Sequence, residues 1–235
     1  AMDAAGVHKA VIHPPMWDPD SNELAVEACI AHPDRFAIMG WVWLDRPESR
    51  IAAETWLQRP GMKGFRFYFN EPHMQTWHSD GTMEWLWPLC ERLGIPVSLQ
   101  AANFIPVVGQ IAERFPNLRL IVDHMAVPRA STGADSWRNT PALVALAKHP
   151  NIAVKATGQA GYATDAYPFP MAHDAIHRVF DAFGPKRMFW GTDITRMHCS
   201  WRECVTMFTE SFAWLKGEDL EWVMGRGFRE WIGWR

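Results

Sequence analysis

The sequence predicts a parallel α/β barrel of the (β/α)8 TIM type whose first strand lies outside these 235 residues. Three observations carry this. Short apolar runs alternate with segments of helical period at spacings of roughly 25 to 35 residues, the size of a βα repeat. Nearly every apolar run ends in a polar or ionisable residue. No run is followed by a GxGxxG turn, which counts against a doubly wound dinucleotide-binding sheet. A (β/α)8 barrel typically needs about 250 residues, and no linker or low-complexity tract divides the chain, so residues 1–235 read as one domain.

The opening AMDAAGV reads as the last turns of a helix closed by Gly6, so a segment upstream of Ala1 is expected. His8–His13 is a short strand stopped by Pro14 and Pro15. Asn22–His32 has helical spacing and ends at Pro33. Phe36–Leu44 is the second strand and Ser49–Leu57 the helix after it, stopped by Pro60 and Gly61. Met62–Phe69 is the third strand; period two puts Arg66 and Tyr68 on one face. Thr82–Leu93 is helical up to Gly94, and Ile95–Gln100 is the fourth strand. Helix Pro106–Phe115 leads to strand Arg119–His124, and helix Thr140–Lys148 to strand Asn151–Thr157. Helix Ala172–Phe183 precedes the last strand, Arg187–Asp193, after which Trp201–Leu215 and Asp219–Glu230 are helical. That makes seven strand–helix units.

Composition narrows the function classes. A net charge of −3 gives no electrostatic case for nucleic acid or an anionic membrane. No apolar run approaches the length of a membrane span, and no signal peptide is visible, so the expectation is a cytoplasmic protein. Cys29, Cys90, Cys199 and Cys204 are scattered without a CxxC pair, which argues against a disulfide scaffold or a zinc–thiolate site. Fourteen Trp imply a thick aromatic core or an aromatic-walled pocket, without choosing between them.

In parallel α/β folds the carboxyl ends of the strands build the site. Here those ends carry His13, Asp45, Arg66 with Tyr68, Gln100, His124, Lys155 and Asp193. Asp193 closes RMFWGTD, where Gly191 lets the backbone turn; its bland alternative is a helix N-cap. His124 follows LIVD and suits acid–base or metal chemistry. Arg66, set among Phe65, Phe67 and Tyr68, must pair with an acid or bind a carboxylate. Lys155 needs a partner to stay charged inside an apolar strand. His13, before two prolines, reads more readily as a loop histidine than as a ligand, Asp45 as the start of a turn, and Gln100 is also consistent with a backbone-satisfying amide.

The motifs KGFRFY, FPNLRLIVDHMAVP, NIAVKATG, RMFWGTD and VMGRGFREWIGW, in that order along the chain, resemble the amidohydrolase-2 family. These are TIM-barrel members of the amidohydrolase superfamily, in the branch of pyrone-dicarboxylate, sugar-acid and muconolactone-type lactonases. The resemblance implies that Asp193 is the final-strand aspartate that activates water and that His124 is the sixth-strand histidine. It also implies that Arg66 binds a substrate carboxylate. Tyr68, Gln100, Lys155 and His13 are expected, from their strand-end positions, as further substrate-binding groups. Two departures from the pattern stand out. The HxH pair of the family's first strand is absent and belongs before Ala1, and Gln100 stands where many members carry a histidine.

The expected activity is therefore hydrolysis of a small carboxylated lactone-type ester by water activated at Asp193. The alternatives are a metal-dependent decarboxylase of the same family and an incomplete barrel that only binds a ligand. A divalent ion such as zinc would use His124 and Asp193 in the intact protein, with no tight binding expected of this chain. A homo-oligomer is compatible with the open strand edges.

Overall fold

The computed structural model describes all 235 residues. Seven strands form one sheet in chain order: β1 (Ala10–Ile12), β2 (Phe36–Gly40), β3 (Met62–Phe67), β4 (Val97–Leu99), β5 (Leu120–Val122), β6 (Ile152–Thr157) and β7 (Met188–Gly191). Every neighbouring pair is parallel. The sheet curls as a barrel does, with β1 pairing only β2 and β7 pairing only β6.

The runs predicted from sequence form strands, with shorter cores. β2 stops at Gly40 because the Asn22 side chain takes the next backbone groups: its amide donates to Trp41 O at 2.8 Å and its carbonyl accepts from Trp41 N at 3.2 Å. That bond ties β2 to helix α2 (Ser21–Ala31), which follows the N-terminal turn α1 (Met2–Ala5). The outer layer continues with α3 (Glu48–Glu54), α4 (Leu86–Leu93), α5 (Ile105–Arg114), α6 (Thr140–Val144), α7 (Gln159–Tyr162), α8 (His173–Phe183) and α9 (Trp201–Thr209). Four expected helices are shorter than their apolar period suggests. α3 and α6 give way to 3-10 turns after Glu54 and Val144, the segment before α4 is a series of turns, and α9 ends at Thr209, short of Leu215. The expected helix Asp219–Glu230 is broken into α10 (Gly217–Glu221), a wide turn over Trp222–Arg226 and α11 (Gly227–Trp231). α7 has no counterpart in the sequence reading.

Strand alternation sorts side chains between two compartments. Phe65 and Phe67 turn outward, where Phe65 stacks on Trp56 at 4.5 Å. Arg66, between them, turns inward. The lower interior is apolar: Ala37, Met39, Ile121, Ala153 and Phe189 pack with Ile232 and Trp234 from the C-terminal segment, and Phe228 stacks on Phe189 at 5.2 Å. At the seam between β7 and β1, Ala5, Val7 and Val205 form a small cluster against Trp190 and Met224, joining α1 to α9. Polar groups occupy the barrel only above this apolar floor.

Candidate active site

Register explains how the polar layer assembles. Arg66 pairs with Ser98, and Ser98 with Ile121, along one row of the ladder. The shear of a barrel then lifts the next inward positions on β5 and β6, Asp123 and Lys155, to the level of Arg66 and Ser98. Asp123 is the hub, 1% exposed. Its Oδ2 accepts from Arg66 Nε at 2.7 Å, and its Oδ1 accepts from Ser98 Oγ at 2.6 Å and pairs with Lys155 Nζ at 2.8 Å. Lys155 also donates to Ser98 Oγ at 2.8 Å and meets His13 Nε2 at 3.0 Å.

Directly after Asp123 the chain makes a left-handed turn. His124, Met125 and Ala126 have φ of 53, 54 and 54°. For non-glycine residues this conformation costs about 1–2 kcal/mol each, and such strain concentrates at functional sites. The turn aims the His124 ring across the barrel mouth. Its Nδ1 lies 2.8 Å from Thr157 Oγ1, and its Nε2 lies 3.4 Å from Arg66 Nη2 and 4.0 Å from Asp193 Oδ2. A guanidinium only donates, so Nε2 is the acceptor and the proton of the neutral ring is assigned to Nδ1, facing Thr157.

Asp193 also lies in the left-handed region, at φ 52°, just past β7. Its side chain makes no cap bond, and α9 is capped by Ser200 in a capping box with Glu203. The helix-cap explanation of Asp193 therefore fails. The carboxylate remains about a quarter exposed at the mouth, 28% by side-chain area. Gly158, at φ 75°, closes the floor between these groups. A Cβ there would lie 3.5 Å from Tyr162 Cε2, 3.6 Å from His124 Nδ1 and 3.7 Å from Asp193 Cβ.

The other expected residues divide. Tyr68 is beside Arg66, whose guanidinium carbon lies 5.5 Å from the ring centroid, and its hydroxyl accepts from Met16 N at 2.6 Å. Gln100 is half-buried at the end of β4, with its backbone N bonded to Phe67 O. Lys155 and His13 lie under the mouth, in the buried ion cluster. Asp45 is exposed on a turn. Sequence reasoning passed over Asp123, Ser98, Thr157, Gln159 and Tyr162. The signal for Asp123 was available: it shares the inward parity of Ile121. Gln159 donates to His124 O at 3.3 Å and to Thr157 O at 3.0 Å, bracing the left-handed turn.

Burial and charge set the protonation states. Burial works to raise the Asp123 carboxyl, but Lys155 and Arg66 together hold it well below the usual range. Burial pushes the Lys155 ammonium down to about 8, against the pull of Asp123. It also lowers His124, an effect that Arg66 adds to and Asp123 and Asp193 oppose. His13 is driven well below its ordinary value by burial, with Lys155 and Arg66 adding to the effect. This has a stability consequence. Below about pH 6.5 the unfolded chain takes up a proton at residue 13 that the folded chain refuses, so stability present above that pH is lost as pH falls towards the folded value. Denaturant midpoints at pH 7.5 and 5.0 are expected to differ less in His13→Gln than in the parent chain.

Whether these residues suit a metal can be judged from the donors. His124 Nε2 presents its lone pair and Asp193 Oδ2 lies 4.0 Å away, so one ion could bridge them. No group of three or more His, Cys, Asp or Glu is assembled anywhere in the chain, and the Arg66 guanidinium already faces Nε2. Zinc sites usually take at least three protein ligands, so the set does not fit. After chelation and re-exposure to equimolar zinc, desalted protein is expected to hold well under one equivalent by elemental analysis.

The structure is a parallel barrel sheet with an aspartate after the last strand and a histidine after the fifth, both at the carboxyl-end mouth. The chain belongs to the amidohydrolase family, whose sequence profile matches residues 1–227. It is 28% identical over 166 residues to L-fucono-1,5-lactonase of Burkholderia ambifaria, a match covering 67% of this chain and 54% of the lactonase. The chain thus spans about half the length of that curated relative. Among solved structures it is similar to an amidohydrolase from Burkholderia multivorans with bound zinc, at a TM-score of 0.85 and 18% identity over 99% of this chain and 85% of that one. A putative 2-pyrone-4,6-dicarboxylic acid hydrolase from Pseudomonas putida gives a TM-score of 0.74 at 17% identity, over 100% and 85%. Decarboxylases also share the fold. No helix is long and apolar enough to cross a membrane.

Proposed function

We propose that the chain hydrolyses a lactone-type cyclic ester in a small carboxylated substrate, with Asp193 as the base that takes water's proton. The observation that carries this is the Asp193 carboxylate, freed from capping and held at the mouth 4.0 Å from the His124 ring. Similarity to a lactonase supports the choice of bond.

In this reading water donates to Asp193 Oδ2 and its oxygen faces the ester carbonyl. A neutral His124 with its proton on Nδ1 cannot donate from Nε2. Its lone pair instead accepts from Arg66 Nη2 and so helps to position the guanidinium, and Arg66 polarises the carbonyl or holds the substrate carboxylate. Arg66 spends Nε on Asp123 and turns Nη2 towards His124, leaving Nη1 outside the cluster's hydrogen bonds. Lys155 and His13 support the layer beneath. The test is proton release by the full chain from a panel of small lactones, carboxylated and uncarboxylated. Ring opening with a lower KM for the carboxylated members is the expected result. Carbon dioxide released from aryl carboxylates, with every lactone intact, would transfer the chain to decarboxylation.

A further inference from the structure

We infer that Gln159 is a positioning residue that fixes the His124 tautomer and, through that ring, the Arg66 guanidinium. The consequence for substrate binding rests on the lactonase reading. Gln159 is the first residue of α7, and Gly158 before it, at φ 75°, turns the chain back so that the Gln159 side chain reaches the ends of β5 and β6. The residue is 2% exposed, so its amide must find its partners inside the protein.

Those partners decide which way the amide points. The Trp137 indole only donates, and its Nε1 lies 2.8 Å from Gln159 Oε1. The NH2 end is therefore turned the other way, where it meets two groups that only accept, Thr157 O at 3.0 Å and His124 O at 3.3 Å. These belong to the two residues whose side chains bond each other: His124 Nδ1 lies 2.8 Å from Thr157 Oγ1 and 3.3 Å from Thr157 O. One buried amide thus clamps the backbone of both members of that pair. The Asn139 amide braces the far end of the left-handed turn, donating to Ala126 O at 2.8 Å, but its second bond runs to Ala102 O after β4. Gln159 is the amide that joins the turn to β6.

The clamp reaches Arg66 through the ring. With His124 held against Thr157, the Nδ1 proton faces the Thr157 oxygens and the Nε2 lone pair faces Arg66 Nη2 at 3.4 Å. Without the amide, two carbonyls lose a donor and the strained turn at His124, Met125 and Ala126 loses a brace. The ring can then leave Thr157 and carry its proton on Nε2, the form that predominates in a free neutral histidine. An Nε2 proton would meet the Arg66 guanidinium donor to donor and turn it away from the position in which it awaits a carboxylate.

The test uses the full chain with Gln159→Met and Gln159→Leu, two apolar replacements that fill the space without donating. Nitrogen NMR of histidine-labelled protein at pH 7.5 reads the ring directly, and the His124 signals are identified by their loss in His124→Gln. The parent is expected to show a protonated Nδ1 and a bare Nε2, and both variants a move of the proton to Nε2. On the lactone panel, the KM advantage of carboxylated members is expected to shrink by about tenfold in the variants, the scale of one hydrogen bond to a charged group, with a smaller change in kcat. A parent-like Nδ1 proton in either folded variant overturns the inference, because packing alone would then hold the ring. Loss of fold in both variants overturns it too, making Gln159 a purely structural residue. A proton that moves while the KM advantage stays would break the link to Arg66. The spectra need no turnover, which separates the two levels of the argument. If the proton moves and the parent chain opens no lactone, the positioning stands and the reaction falls. If lactones open and the proton stays, only the positioning falls.

Discussion

Asp193→Asn is expected to lower kcat for lactone opening by about 10²–10⁴-fold with little change in thermal midpoint. The substitution preserves size and hydrogen-bonding shape but removes the acceptor for water's proton. Stability should be spared because the side chain caps nothing, α9 being capped by Ser200. The KM should move little if the carboxylate acts only on water. A variant that opens lactones at the parent rate would remove Asp193 from the chemistry. The proposed reaction would then have no base, since the His124 Nε2 lone pair already accepts from Arg66 Nη2.

Lys155→Met is expected to cost stability on the scale of a broken buried ion pair, about 3–5 kcal/mol. Asp123 would keep Arg66 but lose the cation on its Oδ1, while Ser98 and His13 would lose a common partner. The contrast is the surface pair Arg92–Glu54, with side chains 58% and 48% exposed, where Arg92→Ala is expected to cost no more than about 1 kcal/mol. Paired denaturant titrations of the two variants would check this. Equal losses would mean that water reaches the Asp123 layer and screens it.

The sequence made the strand order and the mouth legible for a simple reason. A buried parallel strand is a short apolar run, and a polar residue closing such a run has few places to point. Arg66, His124 and Asp193 were found that way. Asp123 was not, because it sits beside His124 and the pair reads as one polar strand end. Only the inward parity shared with Ile121, together with the barrel's shear, shows that Asp123 faces Arg66 and Lys155. The left-handed turn at His124–Ala126 leaves no sequence mark, since none of its residues is glycine. It is imposed by the contacts that hold the ring and by the Gln159 amide. Tyr162 was missed because a four-residue helix has too little period to be seen.

The apolar floor of the barrel has a consequence for how the chain is made. Strands β1 to β7 all leave the ribosome before Phe228, Trp231, Ile232 and Trp234, yet those four help to fill the space between Met39, Ile121 and Phe189. Domains generally fold from the N-terminus as they are synthesised, at roughly 5–20 residues per second. This one cannot finish that way. A nascent chain that has completed its sheet still lacks the side chains that fill its interior, and the apolar floor closes only once residues 228–234 are made.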